Sequence, residues 1–179
     1  VAVRVNPDFE LKSSGMKMGG GPKPFGVDAE QVPELLQRIA AAPLDFRGLH
    51  IFTGSQNLRV DSLVEAHDQT FALAERLAAE SPLPITWLNI GGGLGIPYFP
   101  GEQPLDLPPV CANLKTRFDA WRTDHPDCTV VMELGRYRVA EAGIYVCEVS
   151  DRKTSRGQTY LVTNGGLHHH LALSGNFGQ

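Results

Sequence analysis

Ile85-Thr86-Trp87-Leu88-Asn89-Ile90-Gly91-Gly92-Gly93-Leu94-Gly95 is the stretch that decides the fold. A short aliphatic and aromatic run ends abruptly in consecutive glycines, as a buried strand does when it stops at a tight turn. Working outward, Val1 to Asn6, Phe46 to Phe52 and Thr129 to Glu133 share this design, and the four runs start about 40 to 45 residues apart. The segments between them have helical period. Asp28 followed by Gln31 predicts a capping box ahead of a helix that buries Val32, Leu35, Leu36 and Ile39. Behind Asp61, one stripe carries Val64, Phe71, Ala74 and Ala78; behind Pro108-Pro109, another carries Val110, Leu114, Phe118 and Trp121. Strand alternating with helix predicts an α/β fold of parallel βα units, and periodicity alone leaves a doubly wound sheet and a (β/α)8 barrel both open. Past Glu141 the rhythm changes. Gly143 to Val149 and Thr159 to Thr163 read as strands joined across Asp151 to Gly157, so a β-rich domain is expected over 142–179, after an α/β domain over 1–141.

Composition narrows the function classes. The 179 residues carry a formal net charge of -4 with no basic run, which argues against a nucleic-acid surface. No apolar stretch approaches the roughly 18 residues of a membrane span, and Val1-Ala2-Val3-Arg4-Val5 is not built like a signal peptide, so a soluble cytoplasmic protein is expected. Cys111, Cys128 and Cys147 are too few and too widely spaced for a disulfide framework or a metal knuckle, and are read as reduced, partly buried thiols. Both ends read as cut, which predicts a piece of a larger protein.

In parallel βα folds the loops at the carboxyl ends of strands converge on one face, and chemistry is expected there. Three clusters qualify. Gly91-Gly92-Gly93 offers unobstructed backbone amides to an anion, or simply makes a turn. Phe52-Thr53-Gly54-Ser55-Gln56 sets a hydroxyl beside a glycine at a strand end. Glu133-Leu134-Gly135-Arg136 joins a carboxylate to a guanidinium; following Val130-Val131-Met132, it leaves a strand read as buried, where a carboxylate needs a partner.

In this order, Gly48-Leu49-His50-Ile51-Phe52-Thr53-Gly54-Ser55-Gln56, the Gly91-Gly92-Gly93-Leu94-Gly95 run and Glu133-Leu134-Gly135-Arg136 resemble the type III pyridoxal-phosphate decarboxylases, the family of diaminopimelate and ornithine decarboxylases. Arg4-Val5-Asn6-Pro7 and Phe25-Gly26 look like further landmarks, so the resemblance spans nearly the whole chain. It implies the second half of an alanine-racemase-like (β/α)8 barrel followed by the start of a β domain. It also implies pyridoxal 5'-phosphate, with Ser55, Gly92, Gly93, Gly135 and Arg136 on the phosphate, Glu133 at the pyridine nitrogen and Phe52 against the ring. A carboxylate there favours the protonated ring, which withdraws electrons from the carbanion left by departing carbon dioxide; the charge-assisted bond is worth about 1.5 to 3 kcal/mol.

Two positions depart from the family pattern: Phe52 stands where relatives carry histidine, and Leu134 where they carry proline. Asn164-Gly165-Gly166-Leu167-His168-His169-His170, with Ser174-Gly175-Asn176-Phe177-Gly178-Gln179, resembles an exosortase-associated, exopolysaccharide-linked subgroup. Related enzymes act on amino acids tethered to a carrier protein, so a free or carrier-bound amino acid is the expected substrate. The histidines invite a metal, but on a strand only His168 and His170 would share a face, and no metal is expected; the barrel mouth is the favoured place for them. None of the five lysines fits the Schiff-base role: Lys12, Lys17 and Lys23 read as loop, Lys115 as surface helix and Lys153 as hairpin turn. The resemblance places that lysine upstream, a catalytic cysteine downstream, and the whole enzyme in a homodimer, so the piece alone is expected to be inactive. A racemase on the same barrel and an inactive cofactor-barrel binding protein are the competing readings.

Overall fold

The computed structural model describes residues 1–10, 16–17, 19–166 and 168–169. Its centre is a five-stranded parallel sheet in the order β3-β1-β4-β6-β7, formed by β1 (Ala2–Asn6), β3 (Val27–Asp28), β4 (Gly48–Ile51), β6 (Trp87–Asn89) and β7 (Thr129–Val131). Three helices return the chain between strands: α1 (Val32–Ala40), α2 (Val60–Glu80) and α3 (Leu107–Asp124). Two short strands, β2 (Met16–Lys17) and β5 (Gly54–Ser55), pair antiparallel beside the sheet. A four-residue helix, α4 (Arg136–Val139), follows β7, and the hairpin β8 (Val149–Ser155) and β9 (Gln158–Thr163) follows that.

Strand alternation explains the layering. Val3, Leu49, Leu88 and Val130 are successive register partners across four strands, and they pack into one core with Leu36 of α1, Phe71 and Leu77 of α2, and Trp121 of α3. Leu49 and Leu88 are fully buried, each contributing about 1.5 to 3 kcal/mol of apolar transfer. Phe71 and Trp121 meet edge to face at 6.3 Å. The helices therefore cover one face of the sheet, and the alternate residues look out from the other.

The structure corrects several sequence expectations. Asp28 makes no side-chain cap, because its Oδ1 accepts from Asn6 Nδ2 at 2.7 Å; a 3-10 turn, Ala29–Gln31, leads into α1 instead. The buried stripe of α2 is wider than expected, taking in Leu63, Ala66, His67, Thr70, Leu73 and Leu77 beside Phe71 and Ala74, because this helix also packs against α1 and α3. Lys17 lies in a strand opposite Gly54, not in a loop. The hairpin turn is only Arg156-Gly157, both at positive φ (48° and 83°), the two-residue turn whose twist suits a hairpin. Asp151 to Ser155, read as the connection, is therefore strand and carries Lys153, while 143–148 forms no strand. Cys128 is buried, and Cys111 and Cys147 are exposed free thiols.

Candidate cofactor site

The outward-facing residues of the sheet start the site. Arg4, His50 and Asn89 are register partners in β1, β4 and β6, a polar row on the face that the helices leave uncovered. Asn89 pairs with Val131 of β7, and two residues further on, on the same side, stands Glu133. Its carboxylate accepts from Asn89 Nδ2 at 2.9 Å through Oε1, while Oε2 stands 3.5 Å from His50 Nε2. That nitrogen is buried and has no hydrogen bond of ordinary geometry. Burial lowers the His50 pKa, Arg4 lowers it further, and Glu133 opposes both, so near neutral pH the imidazole is uncharged. β7 is the last strand of the described sheet and half-buried, and the Glu133 side chain just beyond it is 51% exposed in this chain.

Backbone geometry then draws three strand ends together. Glu133 N–H donates to Gly91 O at 2.7 Å, Asn57 N–H to Gly93 O at 2.9 Å, and Gly95 N–H to Asn57 O at 2.9 Å. A β-carbon on Gly92 would stand 1.8 Å from the Glu133 carbonyl oxygen. The bareness of Gly92 thus serves first to let the glycine loop seat against β7. Gln56, at φ 56°, clamps the same loop: its Nε2 donates to Ile96 O at 2.5 Å and its Oε1 accepts from Ile96 N–H at 3.3 Å. The Gln56 Oε1 also lies 3.5 Å from Arg136 Nη1, and the Arg136 guanidinium sits 5.9 Å over the Tyr98 ring. Gly135 caps α4, the turn that carries Arg136. Leu134, in the place of the family proline, packs into a second apolar cluster with Leu63, Leu94, Leu105 and Val110.

The residues expected to hold a phosphorylated pyridine cofactor are therefore neighbours. Phe52, Ser55, Gly92, Gly93, Glu133, Gly135 and Arg136 all lie in the segments just beyond β4, β6 and β7. The donor set suits a phosphate: Ser55 Oγ is buried without a hydrogen-bond partner, a hydroxyl in want of an acceptor, and the following residue, Gln56, lies beside the Arg136 guanidinium. The Arg4 guanidinium lies 5.7 Å from the centre of the Phe52 ring and 5.2 Å from that of Phe25, so one cation contacts both aromatic rings.

Sequence reasoning missed Arg4, His50, Asn89, Gln56 and Tyr98 as members of this cluster. The first three were findable, since each falls on the strand face opposite the apolar row. Gln56 and Tyr98 enter through loop geometry that carries no periodic signal. His168 and His169 lie in a turn, their rings 3.9 Å apart, so strand alternation does not govern them; His170 lies outside the described residues, as does 171–179, with most of the exosortase-like motif. Among the described residues no group of three or more metal-ligating side chains occurs, and no helix is long and apolar enough to cross a membrane.

Residues 1–140 match the family model described as the pyridoxal-binding domain of pyridoxal-dependent decarboxylases. The chain is 36% identical over 174 residues to the L-glutamyl-[BtrI acyl-carrier protein] decarboxylase of Niallia circulans, covering 96% of this chain and 41% of the relative. With the diaminopimelate decarboxylase of Thermoplasma acidophilum it shares 31% identity, covering 84% and 37% respectively. A crystal structure of diaminopimelate decarboxylase superposes with a TM-score of 0.78 at 22% identity, over 93% of this chain and 39% of that one. The Helicobacter pylori diaminopimelate decarboxylase complexed with L-lysine gives 0.75 at 23% identity, over 97% and 42%. The fold is thus that of the alanine-racemase-like barrel decarboxylases, and the chain spans about two fifths of the length of the curated relatives it matches.

Proposed function

The chain belongs to the pyridoxal-dependent decarboxylases, and from that premise we propose that the full-length protein removes carbon dioxide from an amino acid, with pyridoxal phosphate held at the carboxyl ends of β4, β6 and β7. The observation that carries this reading is the Glu133 carboxylate, fixed through one oxygen by Asn89 and half-exposed at the same end of the sheet as the unpartnered Ser55 hydroxyl. When bound, the cofactor supplies a protonated ring that takes up the electron pair released as the bond to the departing carboxylate breaks. Glu133 holds the proton on the ring nitrogen. Ser55, the amides of Gly92 and Gly93, Gly135 and the Arg136 guanidinium bind the phosphate dianion. Phe52 would lie against one ring face, orienting it and shielding it from water without donating a proton.

On this reading the amine that holds the cofactor covalently lies in another part of the protein, as the family resemblance implies. Lys115 is paired with Asp119 on the outside of α3 and Lys153 is on the exposed face of β8. The substrate is an amino acid, free or tethered to a carrier protein, the second in keeping with the relative from Niallia circulans. Glu133→Ala in the full-length protein is expected to lower turnover by at least about a hundredfold while bound cofactor is retained. Carbon dioxide release from free and carrier-tethered amino acids, together with the visible absorbance of the bound cofactor, measures both. Unchanged turnover would refute the role of Glu133.

A further inference from the structure

Asn89 is 3% exposed, yet both ends of its amide are used, and they reach opposite parts of the site. Its Oδ1 accepts the Gly91 N–H at 2.8 Å, inside the glycine loop. That bond also fixes which end of the amide is nitrogen, since only the oxygen can accept. Nδ2 then donates to Glu133 Oε1 at 2.9 Å. A single rigid side chain therefore ties the loop that cradles the phosphate to the carboxylate that faces the ring nitrogen. On the other carboxylate oxygen, His50 Nε2 stands 3.5 Å away, too poorly aligned to hold it. With the Glu133 side chain half-exposed, the Asn89 amide is the only well-formed hydrogen bond to the carboxylate among the described residues.

We propose that Asn89 is a positioning residue for the reaction: its amide locks the orientation of the Glu133 carboxylate and ties it to the glycine loop, so that ring nitrogen and phosphate are presented to fixed partners in register. The inference rests on the assignment of Glu133 to the ring nitrogen. Without that bond, a half-exposed glutamate just beyond β7 rotates among several staggered positions, and only some of these would point one oxygen at the ring nitrogen. Asn89 removes that freedom, and it supports the charged carboxylate through a donor that is buried and so cannot be exchanged for water. A residue that merely kept the strand end folded would affect cofactor affinity and thermal stability. A positioning residue affects the state of the ring nitrogen itself.

That difference is measurable. The full-length protein is loaded with pyridoxal phosphate carrying nitrogen-15 in the ring, and the nitrogen-15 and phosphorus-31 resonances are compared for the parent, Glu133→Gln, Asn89→Leu and Asn89→Ala. The leucine is close in shape to asparagine and keeps the strand packed. We expect the nitrogen resonance of Asn89→Leu to move from the protonated position towards the unprotonated one, in the direction of Glu133→Gln, with kcat reduced about tenfold and KM near the parent's. Asn89→Ala, which leaves a cavity, must show the same nitrogen shift if the leucine variant fails to fold. A nitrogen shift in Glu133→Gln with none in either Asn89 variant overturns the positioning role alone. No nitrogen shift in Glu133→Gln overturns the assignment of Glu133 to the ring. A change confined to phosphorus-31 and cofactor affinity in the Asn89 variants reduces Asn89 to a loop support and also overturns the proposal.

Discussion

Gly92 shows how a single position can be special for more than one reason. Three consecutive glycines after a strand suggest backbone bared for an anion, and the loop lies at the carboxyl end of β6. Yet the closest neighbour of a β-carbon at Gly92 would be the Glu133 carbonyl oxygen, at 1.8 Å, a distance no side chain tolerates. Gly92→Ala must therefore push the glycine loop off β7 and strain the Glu133 N–H bond to Gly91 O. We expect it to destabilise the chain by about 1 to 3 kcal/mol, read as a lower midpoint in urea, with an unchanged midpoint counting against the close approach. At this scale the site was half legible. Phe52, Ser55, Glu133 and Arg136 stood out because they interrupt strand ends with chemistry-bearing groups. Arg4, His50 and Asn89 fall on the face opposite the apolar row, but their meaning depends on which strand lies beside which. Periodicity within one strand cannot supply that order.

At the scale of elements, α2 carries a burial that its sequence pattern does not advertise. His67 is 2% exposed, and neither of its ring nitrogens has a hydrogen-bond partner. Its neighbour Asp68 turns outward to Asn113 and Arg117 of α3, at 2.9 and 2.6 Å, leaving the imidazole in an apolar setting. Burial pushes the His67 pKa down to about 4, with Asp68 opposing weakly. The unfolded chain takes up this proton near the ordinary value of 6.5 and the folded chain only near 4, so stability falls as pH drops through that window and levels off below it. The expected loss is about 3 kcal/mol across the window. Replacing His67 with leucine should remove this slope and leave stability at neutral pH equal or higher, because two unpaired buried nitrogens disappear. Urea unfolding of both chains at pH 7 and pH 4.5 tests it, and parallel losses in the two would show that another group titrates. The existence and order of the helices followed from their apolar stripes, whereas the true width of the α2 stripe did not. A histidine and a threonine on a buried face look polar in sequence, and only a helix packed on two sides explains them. The hairpin turn was misplaced for a related reason, because the signal in Arg156-Gly157 is two residues long and the polar strand around it reads as loop.

Over the whole molecule, two kinds of architecture meet, and they bury very different amounts of surface. The parallel sheet has its helix-facing row sealed, as parallel strands require, while its other face carries the Arg4, His50 and Asn89 row that a barrel interior would hold. Beyond α4, by contrast, every residue of β8 and β9 except Ser155 is exposed, including Val149, Tyr160, Leu161 and Val162. The hairpin is held by its own ladder and a two-residue turn, and a lone two-stranded hairpin in water is marginal. Hydrogen exchange on this chain should therefore divide in two. Amides of Leu49 and Leu88, inside a ladder backed by the core, open only with global unfolding, whereas those of Lys153 and Leu161 open locally and exchange orders of magnitude faster. In the full-length protein the hairpin amides should slow towards the sheet's rate, because apolar strands of this kind are covered when the rest of a β domain packs on them. Equal rates for Leu88 and Leu161 in the isolated chain would show that the hairpin already shares the cooperative core, and unchanged fast exchange in the full-length protein would show that nothing covers it.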